Sequence, residues 1–188
     1  MLRKVALFCL LLVLCLVLCL CAAADEADAS FSFNGARWGM TKEEVRSLSD
    51  AKPFQEPVAK SGHSALVYQM KTDGFPCIIQ YNFLPNDELY NITVMAPDAD
   101  KTFYGKLVDS YTLQYGDPQT KEDASLEADD AVAVMMAALI QSTGGDDFLG
   151  WQADKETVII ISIEPTYKVC YVEIRRYTDY FRFETDLE

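Results

Sequence analysis

The sequence predicts an α+β domain in which antiparallel β-meanders are backed by helices, and three observations carry that prediction. Short stretches alternate apolar and polar residues between turn formers, as where Cys77, Ile79, Tyr81 and Phe83 interleave with Gln80 and Asn82. Two stretches carry helix signals, a capping box opening at Thr41 and apolar residues at helical spacing after Lys101. The order helix, three strands, helix or two, three strands then reads as a duplicated α-βββ unit, with halves at about residues 31–97 and 98–188.

The chain opens with Met1, Leu2, Arg3 and Lys4, an uncharged apolar run from Val5 to Cys21, and then Ala22, Ala23, Ala24, Asp25 and Glu26. A basic start, an apolar run and an Ala-x-Ala site make residues 1–24 a signal peptide with cleavage after Ala24. From Val5 to Ala24 the segment is also just long enough to span a bilayer as a retained anchor with Arg3 and Lys4 inside. Lipidation is the third option, although Cys15, Cys19 and Cys21 each follow a leucine where a lipobox has a small residue. The expected address is therefore the extracellular space or the cell envelope, with membrane contact only through this segment.

Residues 25–30 read as a disordered leader, and residues 31–188 as a single domain long enough to bury a real core. The formal charge of -13 excludes a nucleic-acid binder and favours solubility or a basic partner. Of six cysteines, four precede Ala24, which leaves Cys77 and Cys170, each inside an apolar strand pattern and expected as a buried free thiol.

Taking the elements in order, Thr41 and Glu44 form the Ser/Thr-x-x-Glu box, with Met40 and Val45 placed to staple it. The helix fades by Asp50, ahead of Pro53 and Pro57. Ala65 to Met70 is a strand, Lys71 to Gly74 a turn, Pro76 to Leu84 a second strand, and Leu89 to Ala96 a third after the turn Pro85 to Glu88. Phe103, Tyr104, Leu107, Val108 and Tyr111 predict a helix from about Lys101 to Tyr115, closed by Gly116 with Pro118 beyond. A further buried helix is expected to begin in the acidic stretch Glu122 to Asp130, run through Ala131 to Ile140 and stop at Gly144-Gly145. Phe148 to Ala153, Thr157 to Ile163 and Val169 to Tyr177 are the last strands, and the unbroken Val158-Ile159-Ile160-Ile161 predicts cover on both sides.

At Trp38-Gly39-Met40-Thr41-Lys42-Glu43-Glu44-Val45, with Tyr115-Gly116-Asp117-Pro118 and Trp151 downstream, the chain resembles a loose group of uncharacterised exported bacterial proteins. Their Trp-Gly-Met-Ser/Thr helix start and repeated helix-plus-meander order are similar to the β-lactamase-inhibitor-like and outer-membrane assembly lipoprotein (SmpA/OmlA) folds. The resemblance implies a helix-backed antiparallel sheet and a non-enzymatic binding or assembly role. It carries over no functional residue, and the chain departs from the lipoprotein branch in lacking the lipobox.

No catalytic, cofactor-binding or metal-binding set emerges. His63 is the single histidine, read as an exposed loop residue beside Ser61 and Ser64, and one histidine with two separated strand cysteines cannot close a zinc site. The acidic pairs Asp98/Asp100, Asp129/Asp130 and Asp146/Asp147 lack the spacing of a calcium loop. Trp38 and Trp151 read as core, and the sequon Asn91-Ile92-Thr93 lies within a strand. The C-terminal Tyr177-Thr178-Asp179-Tyr180-Phe181-Arg182-Phe183-Glu184 puts aromatics on both faces of an extended segment. Tyr180, Phe181 and Phe183 are thus the candidate partner-binding residues if it continues the last strand as an edge. These features point to a binding or envelope-assembly module whose partner is another envelope or extracellular protein. The alternative is a secreted hydrolase with a carboxylate-based site.

Overall fold

The computed structural model describes residues 31–72, 74–97, 101–120, 134, 148–164 and 169–176. Its elements run α1 (Lys42–Ser47), β1 (Ser64–Thr72), β2 (Phe75–Phe83), β3 (Leu89–Pro97), α2 (Lys101–Tyr115), β4 (Phe148–Gln152), β5 (Thr157–Glu164) and β6 (Val169–Arg176). The expected helix over 122–140 falls, Val134 aside, outside the described residues, as do the three acidic pairs except where they are read from sequence alone.

The capping box forms as the sequence predicts: Thr41 Oγ1 accepts from the Glu44 amide at 3.3 Å, and Glu44 Oε2 accepts from the Thr41 amide at 2.8 Å. These bonds satisfy donors that the first helical turn leaves orphaned. Val45 is then the residue of α1 that is buried, and Met40 packs half-buried against the same core. At the far end of α2, Gly116 takes φ 87 and its amide donates to the Thr112 carbonyl at 2.9 Å, a left-handed stop that glycine adopts without strain.

All six strands join one antiparallel sheet in the order β1-β2-β3-β6-β5-β4. Each half is a meander, and the halves meet where β3 pairs with β6, so the order reads outward identically from the centre. Thr72 pairs with Phe75, which leaves two residues to turn β1 into β2 and extends both strands beyond their sequence-predicted ends. Gly74 at φ 83 supplies the backbone such a short turn needs.

The sheet has two unlike faces because alternate residues point to opposite sides. The first face carries Leu66, Ile79, Phe83, Ile92, Val94, Trp151, Ile159, Ile161, Val172 and Ile174, all buried, and the helices contribute Val45 and Phe103 to the same cluster. Helix α2 crosses from one half to the other: Phe103 sits 4.5 Å from Phe75 of β2, and Tyr111 lies 5.8 Å from Trp151 of β4. Full burial of each large side chain contributes about 1.5–3 kcal/mol. In β5, Val158, Ile159, Ile160 and Ile161 are all buried, as the unbroken apolar run predicts.

Each outer edge of the sheet carries isolated bridges over part of its length. Gln55 and Val58 bridge Val67 and Ser64 along β1, in a segment interrupted by Pro53 and Pro57, and Gln119 bridges Gly150 of β4. Proline and irregular pairing at an edge discourage a further strand from adding there.

Candidate binding surface

On the second face the same alternation produces a polar ladder. Pairing places Gln80, Thr93 and Glu173 in one row across β2, β3 and β6, and Asn82, Asn91 and Arg175 in the next. Asn82 Nδ2 donates to Asn91 Oδ1 at 2.7 Å, Gln80 Nε2 to Asn82 Oδ1 at 2.6 Å, and Thr93 Oγ1 to Asn91 Oδ1 at 3.2 Å. Asn91 Nδ2 reaches Glu173 Oε1 at 3.3 Å, where Arg175 Nη2 also donates at 2.6 Å. Six side chains from three strands and both halves thus form one network, in which the carboxylate and guanidinium cancel in charge.

Asn91 is 6% exposed and the other five are half-buried. The rows run on into Val67 and Ala65 on one side and into Ile160 and Val158 on the other, all buried. Tyr171 stands two residues from Glu173 on the same face, paired with Met95 and Ser162 and 36% exposed. Chemically, this surface offers planar hydrogen-bonding groups beside an aromatic ring. Glu173 Oε1 is held by both a guanidinium and a carboxamide.

The ladder was only half legible in sequence. The polar alternation of Gln80 and Asn82 signals a second face of β2, but Glu173 and Arg175 join it through the β3–β6 pairing, which has no local signature. Asn91, read as the acceptor of a sequon, has both ends of its carboxamide engaged.

Tyr180, Phe181 and Phe183 lie outside the described residues. The last described strand is not an edge, however: β6 lies between β3 and β5, and both its hydrogen-bonding sides are taken. His63 corrects one expectation, being half-buried and not exposed. Its carbonyl accepts from the Ala59 amide at 2.7 Å, which closes the loop and brings the ring edge-on to Tyr90 at 6.0 Å. Ser61 Oγ lies 2.9 Å from His63 Nδ1, a contact two residues apart within one loop.

Both tryptophans serve the core. Trp151 is 1% exposed and donates from Nε1 to the Gly116 carbonyl at 3.0 Å, and half-buried Trp38 donates to Thr157 Oγ1 at 2.8 Å. Cys77 and Cys170 are buried free thiols on β2 and β6, with β3 between them. Two sheet spacings, about 9–10 Å, exceed the reach of a disulfide. Among the described residues, no group of three His, Cys, Asp or Glu side chains is placed to hold a metal ion.

Comparison of the chain with protein-family models, with curated proteins and with solved structures finds no match in the three.

Proposed function

We propose that the chain is an exported, non-enzymatic module that binds another envelope or extracellular protein, and that the ladder from Gln80 to Arg175 is its recognition surface. The observation that carries this reading is the ladder itself. A sheet face that held only the fold together would be served by apolar side chains, whereas six networked polar groups from both halves fix a hydrogen-bonding pattern in place. Preorganised donors and acceptors lose little freedom when a partner meets them.

The signal-like residues 1–24 support export, and the duplicated helix-plus-meander order supports grouping the chain with the β-lactamase-inhibitor-like and SmpA/OmlA folds. Release from the membrane with a mature start at Asp25 belongs to the same proposal. Intact-mass measurement of the natural product tests it, since a retained N-terminus means an anchor and an added acyl mass means a lipoprotein.

The binding claim is tested by using the mature chain as bait in envelope extract. One protein recovered in stoichiometric amount, and lost with the Gln80→Ala/Thr93→Ala double variant, is the expected result. Turnover in a broad hydrolase screen that disappears with Glu173→Gln would overturn it.

A further inference from the structure

Residues Phe31–Met40 form a strap across one end of the sheet that ties the two halves together. Its upstream end is held where the Phe31 amide donates to Asp154 Oδ2 at 2.8 Å, and its downstream end where Trp38 reaches Thr157. Gly39 and Met40 add backbone bonds to Leu89 of β3. Between these anchors the chain reverses in two residues, Asn34 at φ 52 and Gly35 at φ 83, closed by Phe33 and Ala36 exchanging bonds of 3.0 and 2.9 Å. Both turn residues are exposed, whereas Ala36 is fully buried.

We propose that Asn34 is a site of spontaneous deamidation, and that isoaspartate formed there slackens the tie between the two halves. Asn34 is the one asparagine in the sequence followed by glycine: Asn82, Asn86 and Asn91 precede Phe83, Asp87 and Ile92. A glycine nitrogen carries no neighbouring side chain to hinder its approach. The Gly35 nitrogen attacks Asn34 Cγ, the bond from Cγ to the side-chain nitrogen breaks, and ammonia leaves with the proton from the Gly35 amide, closing a succinimide. Water then opens the ring at one carbonyl to give aspartate, or at the other to give isoaspartate.

Isoaspartate routes the backbone through the former side chain and lengthens it by one methylene group. A two-residue reversal with both φ angles positive has no slack for the added atom, so the paired bonds between Phe33 and Ala36 are lost. Phe33, packed 6.5 Å from Tyr81, and buried Ala36 lose their fixed positions with them. The intact turn restrains the attack, because its left-handed backbone must open before the Gly35 nitrogen lines up with Cγ. The rate therefore follows local opening of the strap, and the unfolded chain reacts faster than the folded one.

The test holds the full-length chain at mildly alkaline pH, digests timed samples, and scores each asparagine by peptide mass and by protein-isoaspartate methyltransferase labelling. Conversion at position 34 is expected to be roughly tenfold or more faster than at positions 82, 86 and 91. Equal rates at the four positions would overturn the site. Hydrogen exchange on the aged protein is expected to show protection of the Phe33 and Ala36 amides lost, with a lowered melting midpoint. The Asn34→Asp variant, which adds the charge without the extra methylene, is expected to retain both. Isoaspartate that forms and leaves exchange and midpoint at their starting values would overturn the slackening.

Discussion

Trp38 and Thr157 lie 119 residues apart and share a 2.8 Å hydrogen bond from indole Nε1 to hydroxyl Oγ1. The indole stacks on Phe31 at 5.7 Å, and Thr157 is fully buried at the start of β5. Trp38, which precedes the helix cap at Thr41, thus fastens the first half of the chain to the second. Trp38→Ala is expected to cost about 3 kcal/mol, the low end for a truncated aromatic because the ring is half-buried. Thr157→Val, which leaves the indole N–H without its acceptor, should cost about 1–2 kcal/mol. Urea unfolding of both variants, and of Trp38→Phe with and without Thr157→Val, should give a double variant less damaged than the sum.

The cap on α1 gives stability an acid dependence of known sign. Hydrogen bonds from the Thr41 backbone and side chain hold the Glu44 carboxyl below its ordinary value of 4.5. A carboxyl depressed by folding adds stability above its unfolded value and loses it as pH falls through the folded one. Thr41→Ala should cost about 1 kcal/mol at neutral pH. The same variant should flatten the loss of stability expected below about pH 4.5, and an unchanged acid limb in chemical denaturation would show that the cap is not responsible.

Alkaline pH acts in the opposite sense on buried Cys170 and partly buried Tyr111. Burial, with Cys77 nearby, pushes the Cys170 thiol up to about 11 from 9.0, and burial, with Tyr115 and Cys170, pushes the Tyr111 phenol up to about 12 from 10.0. Both ionise more readily in the unfolded chain, so their contribution is complete below 9.0 and 10.0 and is lost as pH climbs toward the folded values. Thermal melts across this range should fall steadily, and Cys170→Ala should remove the part between about 9 and 11. Iodoacetamide should leave both thiols unlabelled in the folded protein at pH 8 and label both in denaturant without reductant. A requirement for reductant would mean that the chain is bridged and that β3 does not separate the two cysteines.

Asn91 is the hub of the ladder, bonded to Asn82, Thr93 and Glu173. Asn91→Leu should cost about 1–3 kcal/mol, because partly buried polar groups on three strands lose their partner at once. Gln80→Ala, at the end of the network, should cost less. If equilibrium unfolding finds both variants equal to the parent, the network does not hold the centre of the sheet.

Local features were legible wherever a short stretch of sequence decides them. The Thr41 and Glu44 spacing, the Gly116 stop and the alternation from Cys77 to Phe83 each specify geometry through neighbours within a few residues. The strand order was not, since nothing near Ile92 or Val172 announces that β3 will pair with β6. That single pairing decides that β6 is interior and that Glu173 meets Asn91. His63 was misjudged for a related reason: polarity and a neighbouring glycine indicate a loop, but the ring is shielded by Tyr90, twenty-seven residues away.

The central position of the β3–β6 pair also imposes an order on events at the ribosome. A chain emerges N-terminus first, and β1, β2 and β3 can zip through turns of a few residues as soon as Pro97 is out. The partner of β3 begins only at Val169, so every nascent molecule carries Asn91 to Pro97 as an unclaimed strand edge through the synthesis of some seventy further residues. Such an edge pairs with whatever extended chain comes first. Slower translation of the second half should therefore increase entanglement between copies during synthesis, whereas a holding chaperone seated on β3 should prevent it.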